Sequence, residues 1–130
     1  MQFYLLLCMI FMHIVDDYYL QGILASMKCR SWWKSNAPEK MYENDYKMAL
    51  IMHAFSWTYM IMIPAVVYLL MNGKTIEPIF AGWFSTNMII HAFVDNAKAN
   101  DKKINLCADQ TIHLIQIVVT WLFVLYKVSV

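Results

Sequence analysis

The sequence has 130 residues, of which 61% are hydrophobic and 15% are charged, and its formal net charge is +1. A soluble domain has roughly 45–50% apolar and about 25% charged residues, so this composition indicates a membrane protein. The small net charge argues against a nucleic-acid-binding face. The three cysteines have no paired spacing, so neither a disulfide framework nor a thiolate metal site is indicated.

Four apolar blocks alternate with polar stretches along the chain. Each is about 20 to 27 residues long, and roughly 20 apolar residues are needed to cross a bilayer. The pattern predicts an all-α, four-span transmembrane helical bundle in one domain, with spans at about 1–27, 48–71, 78–97 and 104–126 and cytoplasmic loops 28–47 and 98–103. A cleaved signal peptide is disfavoured for the first block, because it lacks a basic n-region and an A-x-A-like site.

The basic residues predict the orientation of these spans. Eight of the ten lysines and arginines fall in loops 28–47 and 98–103. The positive-inside rule places both loops in the cytoplasm, which leaves both termini outside. We therefore expect a multi-pass integral protein of a bacterial or host inner membrane, with the lipid bilayer as its main partner and no nucleic acid. The oligomeric state is left open.

All four histidines lie inside predicted spans, and three of them have an aspartate four residues away. Side chains at this spacing share one helix face. The histidines are His13, His53, His91 and His113, and the aspartates are Asp17, Asp95 and Asp109. Amides extend these polar faces at Gln21, Asn87 and Gln110. Each span therefore presents a polar stripe, which is costly in hydrocarbon unless the stripes face one another.

The depths of these residues along the spans support a single cluster. At about 1.5 Å of rise per residue, six of eight polar positions lie roughly 9–16 Å from the basic boundary. His13 is expected to lie deepest, at roughly 22 Å, and Asp95 shallowest, at roughly 4–5 Å. Four helices with inward polar groups at one depth predict a shared site in the cytoplasmic half of the membrane.

The chemistry of that site follows from its side chains. Imidazole and carboxylate together bind Zn²⁺, and also Fe or Mn, so one or two divalent ions are expected. The predicted metal ligands are His13, Asp17, His53, His91, Asp95, Asp109 and His113. Three of these, Asp17, Asp95 and Asp109, are also candidate catalytic bases, and Gln21, Asn87 and Gln110 are candidates to hold or orient a ligand. Two alternatives stay open: self-neutralising pairs within each helix, and a proton or cation path.

One acidic residue does not fit the stripes. Asp16 stands next to Asp17, about 100° around a regular helix. It is expected to face a neighbouring helix or a water-filled cleft.

The motifs occur together in an order that resembles a known family. H-x3-D-x3-Q in "HIVDDYYLQ", the histidine of "LIMHAF", "HAFVDNAK" and "DQTIHL" are similar to small bacterial and phage integral-membrane proteins catalogued only as a domain of unknown function (DUF3307). The matching positions are His13, Asp17, Gln21, His53, His91, Asp95, Asp109, Gln110 and His113. The family often has a small residue where this chain has Asp16. The resemblance implies a small membrane protein and carries no activity with it.

Two functional classes follow from these observations. One is a metal-dependent hydrolase in which a metal-bound water attacks a lipid-like ester at the cytoplasmic leaflet. A looser resemblance to membrane-bound metal-dependent hydrolases points the same way, although their motifs do not match residue by residue. The other class is a non-enzymatic membrane protein, either an ion-binding or proton-relay protein or a phage accessory protein that binds a host membrane partner.

Overall fold

The computed structural model describes residues 1–130 and contains helices and turns but no strands. The predicted all-α class is confirmed. The elements in chain order are α1 (Gln2–Val15), a π-helical turn (Asp16–Leu20), α2 (Leu24–Met27), α3 (Arg30–Asn36), a 3-10 turn (Lys40–Tyr42), α4 (Asp45–Met71), α5 (Ile79–Ala99) and α6 (Leu106–Ser129).

Three helical segments are long and apolar enough to cross a membrane. They are Gln2–Leu20, Lys40–Met71 and Leu106–Ser129. Helix α5 is not among them, although it has 21 residues, because residues such as Asn87, His91 and Asp95 dilute its apolar content. Three of the four predicted spans therefore coincide with helices that are long and apolar enough to cross a membrane.

The first apolar block does not form one helix as far as Met27. Its helix ends after the π-helical turn, and Gly22 adopts a φ of 51°. Glycine takes up this left-handed conformation without the steric penalty that a Cβ would bring, and it commonly terminates helices. The chain resumes as the short helix α2 and then turns, so that Lys28 returns to the protein interior, where it is 6% exposed.

Helix α4 lies against all three other long helices, and α6 also packs against α1 and α5. One half of the interior is apolar. It lies where α1 and α5 begin and where α4 and α6 end. Its buried residues include Leu5, Met9, Ile61, Ala65, Leu69, Phe80, Ile117 and Val124. The other half of the interior is polar, and it holds the histidines and aspartates.

The interior is unusually polar for a soluble protein, and many large apolar side chains lie on the surface. Twelve of the 26 buried residues are polar or charged, whereas large apolar side chains such as Phe11, Tyr59 and Phe93 are more than half exposed. In water an apolar surface of this extent is unfavourable. In a bilayer it is the expected arrangement, because ionisable groups turn away from the lipid.

Candidate metal centre

The polar half of the interior is built from all four long helical segments. It contains four imidazoles and four carboxylates: His13, Asp16 and Asp17 from the first helical segment, His53 from α4, His91 and Asp95 from α5, and Asp109 and His113 from α6. The most exposed of these side chains, Asp17, is only 7% exposed. The i, i+4 spacing within each helix aligns the groups, and the helix packing brings the aligned faces together.

One group of ligand atoms surrounds the Nε2 atom of His53. This atom lies 3.2 Å from His91 Nε2 and 3.2 Å from Asp17 Oδ1. Asp95 Oδ2 lies 3.4 Å from the same nitrogen. Side chains from three helical segments therefore direct nitrogen and oxygen atoms toward one point.

A second group is centred on the other oxygen of the same aspartate. Asp95 Oδ1 lies 3.3 Å from His113 Nε2 and 3.9 Å from His91 Nε2. Asp109 Oδ1 lies 3.5 Å from His113 Nε2. The Asp95 carboxylate therefore joins the two groups, because each of its oxygens contacts a different histidine.

These separations match those of metal ligands. Four ligands held 2.0–2.1 Å from a tetrahedral Zn²⁺ ion lie about 3.3–3.4 Å from one another. Two sets of three candidate ligand atoms lie within 4.8 Å of each other: Asp17, His53 and His91, and His91, Asp95 and His113. The structure thus shows buried histidines and aspartates within metal-binding distance.

Three buried carboxylate oxygens in the cluster have no hydrogen-bond donor: Asp16 Oδ2, Asp17 Oδ1 and Asp109 Oδ1. A buried acceptor without a partner is unfavourable by about 1–3 kcal/mol, more for a charged group. Asp17 Oδ1 and Asp109 Oδ1 each face a histidine Nε2 atom, of His53 and His113 respectively, so a cation between them would satisfy both sides.

The charges of the cluster also favour a cation. Lys28 Nζ lies 2.5 Å from Asp95 Oδ2, and Lys98 Nζ lies 2.5 Å from Asp109 Oδ2. These two ammonium groups balance two of the four buried carboxylates, so two negative charges remain when the imidazoles are neutral. Burying unbalanced charge is strongly unfavourable. One divalent ion would restore neutrality.

Hydrogen bonds behind His113 set its orientation. The Gln116 side-chain nitrogen donates to the main-chain oxygen of Asn87 over 3.2 Å, which leaves its Oε1 facing His113 Nδ1 at 3.3 Å. Because an amide oxygen only accepts, the Nδ1 atom carries a proton. The Nε2 atom faces the Asp95 carboxylate at 3.3 Å, where either a second proton or a bound cation would join the two groups. Such partners commonly orient metal-binding histidines. Asn87 therefore supports Gln116 and contacts Thr120.

His13 uses both of its ring nitrogens in hydrogen bonds. The Trp57 indole donates to His13 Nδ1 over 2.7 Å, and His13 Nε2 lies 3.1 Å from Gln110 Oε1. Indole N–H only donates, so Nδ1 is the unprotonated nitrogen and Nε2 donates to the amide. The Gln110 amide nitrogen in turn faces Asp109 Oδ2 at 3.1 Å and Asp17 Oδ2 at 3.4 Å. His13 and Gln110 thus hold the carboxylates in place from outside the two ligand groups.

Gln21 lies at the end of the π-helical turn. Its side-chain nitrogen donates to the main-chain oxygen of Asp17 over 2.5 Å. This bond satisfies a carbonyl at the helix terminus, and it holds the backbone that carries Asp17.

The π-helical turn explains Asp16. A π-helical turn contains more residues than an α-helical one, and here both adjacent aspartates face α4. Asp16 is 1% exposed, accepts a hydrogen bond of 2.6 Å from Ser56, and places Oδ2 3.7 Å from His53 Nδ1. Asp17 faces the other nitrogen of the same ring. Of the two expected locations, Asp16 therefore occupies the one against a neighbouring helix.

Three residues that contact the cluster are not among the predicted site residues: Lys28, Lys98 and Trp57. Lys98 follows Asp95 by three residues and Trp57 follows His53 by four, so helical spacing places each on a polar face. Lys28 lies beyond the helix break at Gly22, where no periodicity predicts its direction. Trp57 stacks on His91 with ring centroids 4.2 Å apart and separates the cluster from the apolar half.

Fold and site together define an all-helical chain with three membrane-length helices and a buried histidine–aspartate cluster within metal-binding distance. Comparisons with protein-family models, with curated proteins and with solved structures find no match to the chain. The resemblance to the DUF3307 family stays a prediction.

Proposed function

We propose that this protein is a four-span integral-membrane protein that binds one or two divalent metal ions, Zn²⁺ foremost, in its histidine–aspartate cluster. The observation that carries the proposal is the convergence of three buried Nε2 atoms and the Asp17 and Asp95 carboxylates at ligand-to-ligand distances of 3.2–3.9 Å. In this proposal α5 is the fourth span, the cluster lies in the cytoplasmic half, and both termini lie outside the cytoplasm.

The geometry supports distinct roles for the predicted ligands. Asp17, His53 and His91 form one set of three ligands, and His91, Asp95 and His113 form the second, with Asp109 beside His113. With Zn²⁺ the histidines supply neutral nitrogen and the aspartates supply charge, and Fe or Mn accept the same ligand types. His13, Gln110 and Asn87 support these ligands through hydrogen bonds.

Metal content tests the proposal directly. Wild-type protein purified in detergent without added chelator is expected to contain at least one equivalent of a transition metal, measured by plasma mass spectrometry. His91→Ala is expected to lose this metal, because His91 belongs to both ligand sets. The matched control is Phe93→Ala on the same helix, whose side chain is 71% exposed and which should retain the metal. Wild type without stoichiometric metal would refute the proposal.

The hydrogen bond behind His113 should tune metal affinity. Gln116→Leu removes the acceptor for His113 Nδ1–H, so the ring loses the bond that fixes its tautomer. Affinity is expected to fall about 10- to 100-fold, the usual effect of removing such a partner. Competition with a fluorescent chelator measures the change, and Thr111→Val, on the exposed side of the same helix, serves as the control. Equal affinities for Gln116→Leu and wild type would exclude this role for Gln116.

Hydrolysis of a lipid-like ester is the second candidate function, and one observation favours it. In each ligand set three protein groups lie within 4.8 Å of one another, and three is the number that catalytic zinc sites use while water occupies the fourth position. Such a metal lowers the pKa of its bound water, and a neighbouring carboxylate can accept the proton. Metal-loaded wild type in vesicles should release product from ester lipids, and His91→Ala should not. Equal release by both would exclude hydrolysis at this site.

A further inference from the structure

A basic pocket lies between α3 and the start of α4, separate from the histidine–aspartate cluster. Its volume is about 570 Å³, and its lining includes three cationic side chains, Arg30, Lys34 and Lys40, against one carboxylate, Glu43. Arg30 also lies 3.8 Å from the Asp101 carboxylate, so the excess positive charge of the pocket comes from Lys34 and Lys40, which form no ion pair. The pocket belongs to the loop 28–47, which holds five of the ten basic residues of the chain.

Aromatic side chains form the wall of this basic pocket. The Trp33 indole donates to the main-chain oxygen of Met27 over 2.6 Å, and its ring stacks with Tyr42 at a centroid distance of 6.3 Å. The Arg30 guanidinium lies 4.7 Å from the centre of the Tyr46 ring. Contact with an aromatic face holds a guanidinium in place while leaving its N–H groups free to donate. The cations are therefore arranged around a defined wall.

An apolar groove adjoins the basic pocket. The groove lies between α4 and α5 and has a volume of about 470 Å³, with Leu50, Ile51, Ile89 and Phe93 among its lining residues. Tyr46 lines both the groove and the basic pocket. The groove runs on the side of the helices that exposes large apolar residues, including Ile51, Ile89 and Phe93. The basic pocket and the apolar groove thus share one lining side chain, that of Tyr46.

We propose that the two cavities together bind one anionic phospholipid, with its phosphate in the basic pocket and an acyl chain in the α4–α5 groove. The charge of the pocket matches a phosphate, since Arg and Lys donate charge-assisted hydrogen bonds to phosphate oxygens. The adjoining groove offers apolar surface that a free phosphate ion cannot use. Clusters of basic residues beside membrane-spanning segments attract anionic lipids in the same way.

The lipid site is independent of the metal centre. Tyr46 precedes His53 by seven residues on α4, about 10 Å along the helix. No residue of the histidine–aspartate cluster lines either cavity. Lipid binding and metal binding are therefore measured on the same preparation as separate quantities.

The headgroup contact is tested by native mass spectrometry in detergent with added phosphatidylglycerol or phosphatidylcholine of identical acyl chains. Wild type is expected to retain one phosphatidylglycerol in preference to phosphatidylcholine. The double variant Lys34→Gln/Lys40→Gln should bind phosphatidylglycerol at least about tenfold more weakly. Lys74→Gln/Lys102→Gln removes the same charge from positions outside the pocket and should bind as wild type does. The proposal is overturned if both double variants lose phosphatidylglycerol binding equally, or if Lys34→Gln/Lys40→Gln binds phosphatidylglycerol as strongly as wild type does.

The acyl-chain contact is tested by filling the groove. Ala92→Trp places an indole in the α4–α5 groove, which Ala92 lines, and should weaken phosphatidylglycerol binding without changing the circular dichroism spectrum. Inorganic phosphate at the same concentration should not displace the lipid from wild type. If phosphate displaces the lipid, the basic pocket binds a free anion and the proposal is wrong. If Ala92→Trp binds the lipid normally, the acyl chain does not occupy the groove and the proposal is equally wrong. Ala92→Trp should lose the lipid and keep the metal, whereas His91→Ala should lose the metal and keep the lipid. The two results together distinguish this site from the metal centre.

Discussion

Asp95→Asn is expected to weaken metal binding by more than about a hundredfold, since loss of a mere hydrogen-bond partner of a metal ligand already has a 10- to 100-fold effect. Asp95 is the residue that joins the two ligand groups, with Oδ2 3.4 Å from His53 Nε2 and Oδ1 3.3 Å from His113 Nε2. An asparagine side chain keeps the shape but removes the charge and one acceptor. Metal content and chelator competition measure the loss.

The same substitution should also destabilise the protein, because it leaves the Lys28 ammonium buried without its partner. Removing one member of a buried ion pair has an effect of about 3–5 kcal/mol, and the Lys28 side chain is 8% exposed. The double variant Asp95→Asn/Lys28→Met removes the unpaired ammonium as well. It is expected to recover most of the free energy of unfolding while still failing to bind metal.

The exposed aspartate of the α5–α6 loop provides the control for both measurements. Asp101→Asn removes a carboxylate that contacts only Arg30 and Lys103 at 3.7–3.8 Å among basic groups, so metal content and stability should stay near wild type. Metal binding by the double variant at wild-type strength would contradict the role assigned to Asp95. Equal instability of the single and double variants would contradict the ion-pair argument.

Trp57→Ala is expected to lower the free energy of unfolding by about 3–5 kcal/mol, the usual range for a buried aromatic residue. Trp57 is fully buried, stacks on His91 and donates to His13. Its loss would open a cavity between the polar and apolar halves of the interior. Reversible denaturation in mixed micelles measures the change.

Trp57→Phe separates the two contacts of this residue. A phenyl ring retains much of the stacking but leaves the buried His13 Nδ1 without its donor, an effect of about 1–3 kcal/mol. Trp121→Ala is the control, because Trp121 is partly exposed and donates only to the main-chain oxygen of Gln2 near the chain terminus. A Trp57→Ala effect no larger than that of Trp121→Ala would refute the assigned role of Trp57.

Helical spacing and depth along the helices predict different properties of the cluster, and the depths in the membrane stay a prediction. The basic residues were expected to mark the membrane boundary, which made Asp95 the shallowest member of the cluster. In the structure Asp95 contacts His53, His91 and His113. Lys98, one of these boundary residues, extends from α5 to pair with Asp109 on α6. Long lysine side chains can place the charge away from the backbone position.

The all-α class, three membrane-length helices and the residues that share a polar face follow from the amino-acid sequence alone, because hydrophobic run length and i, i+4 spacing are local properties. The packing of the helices was needed to see which ring nitrogens face one another, that Trp57 and Gln110 hold His13, and that Lys28 pairs with Asp95 in the interior. These features depend on how each helix is rotated against its neighbours and on the path of the chain after Gly22. Neither the rotation of a helix against its neighbours nor the path of the chain after Gly22 produces a periodic pattern in the sequence.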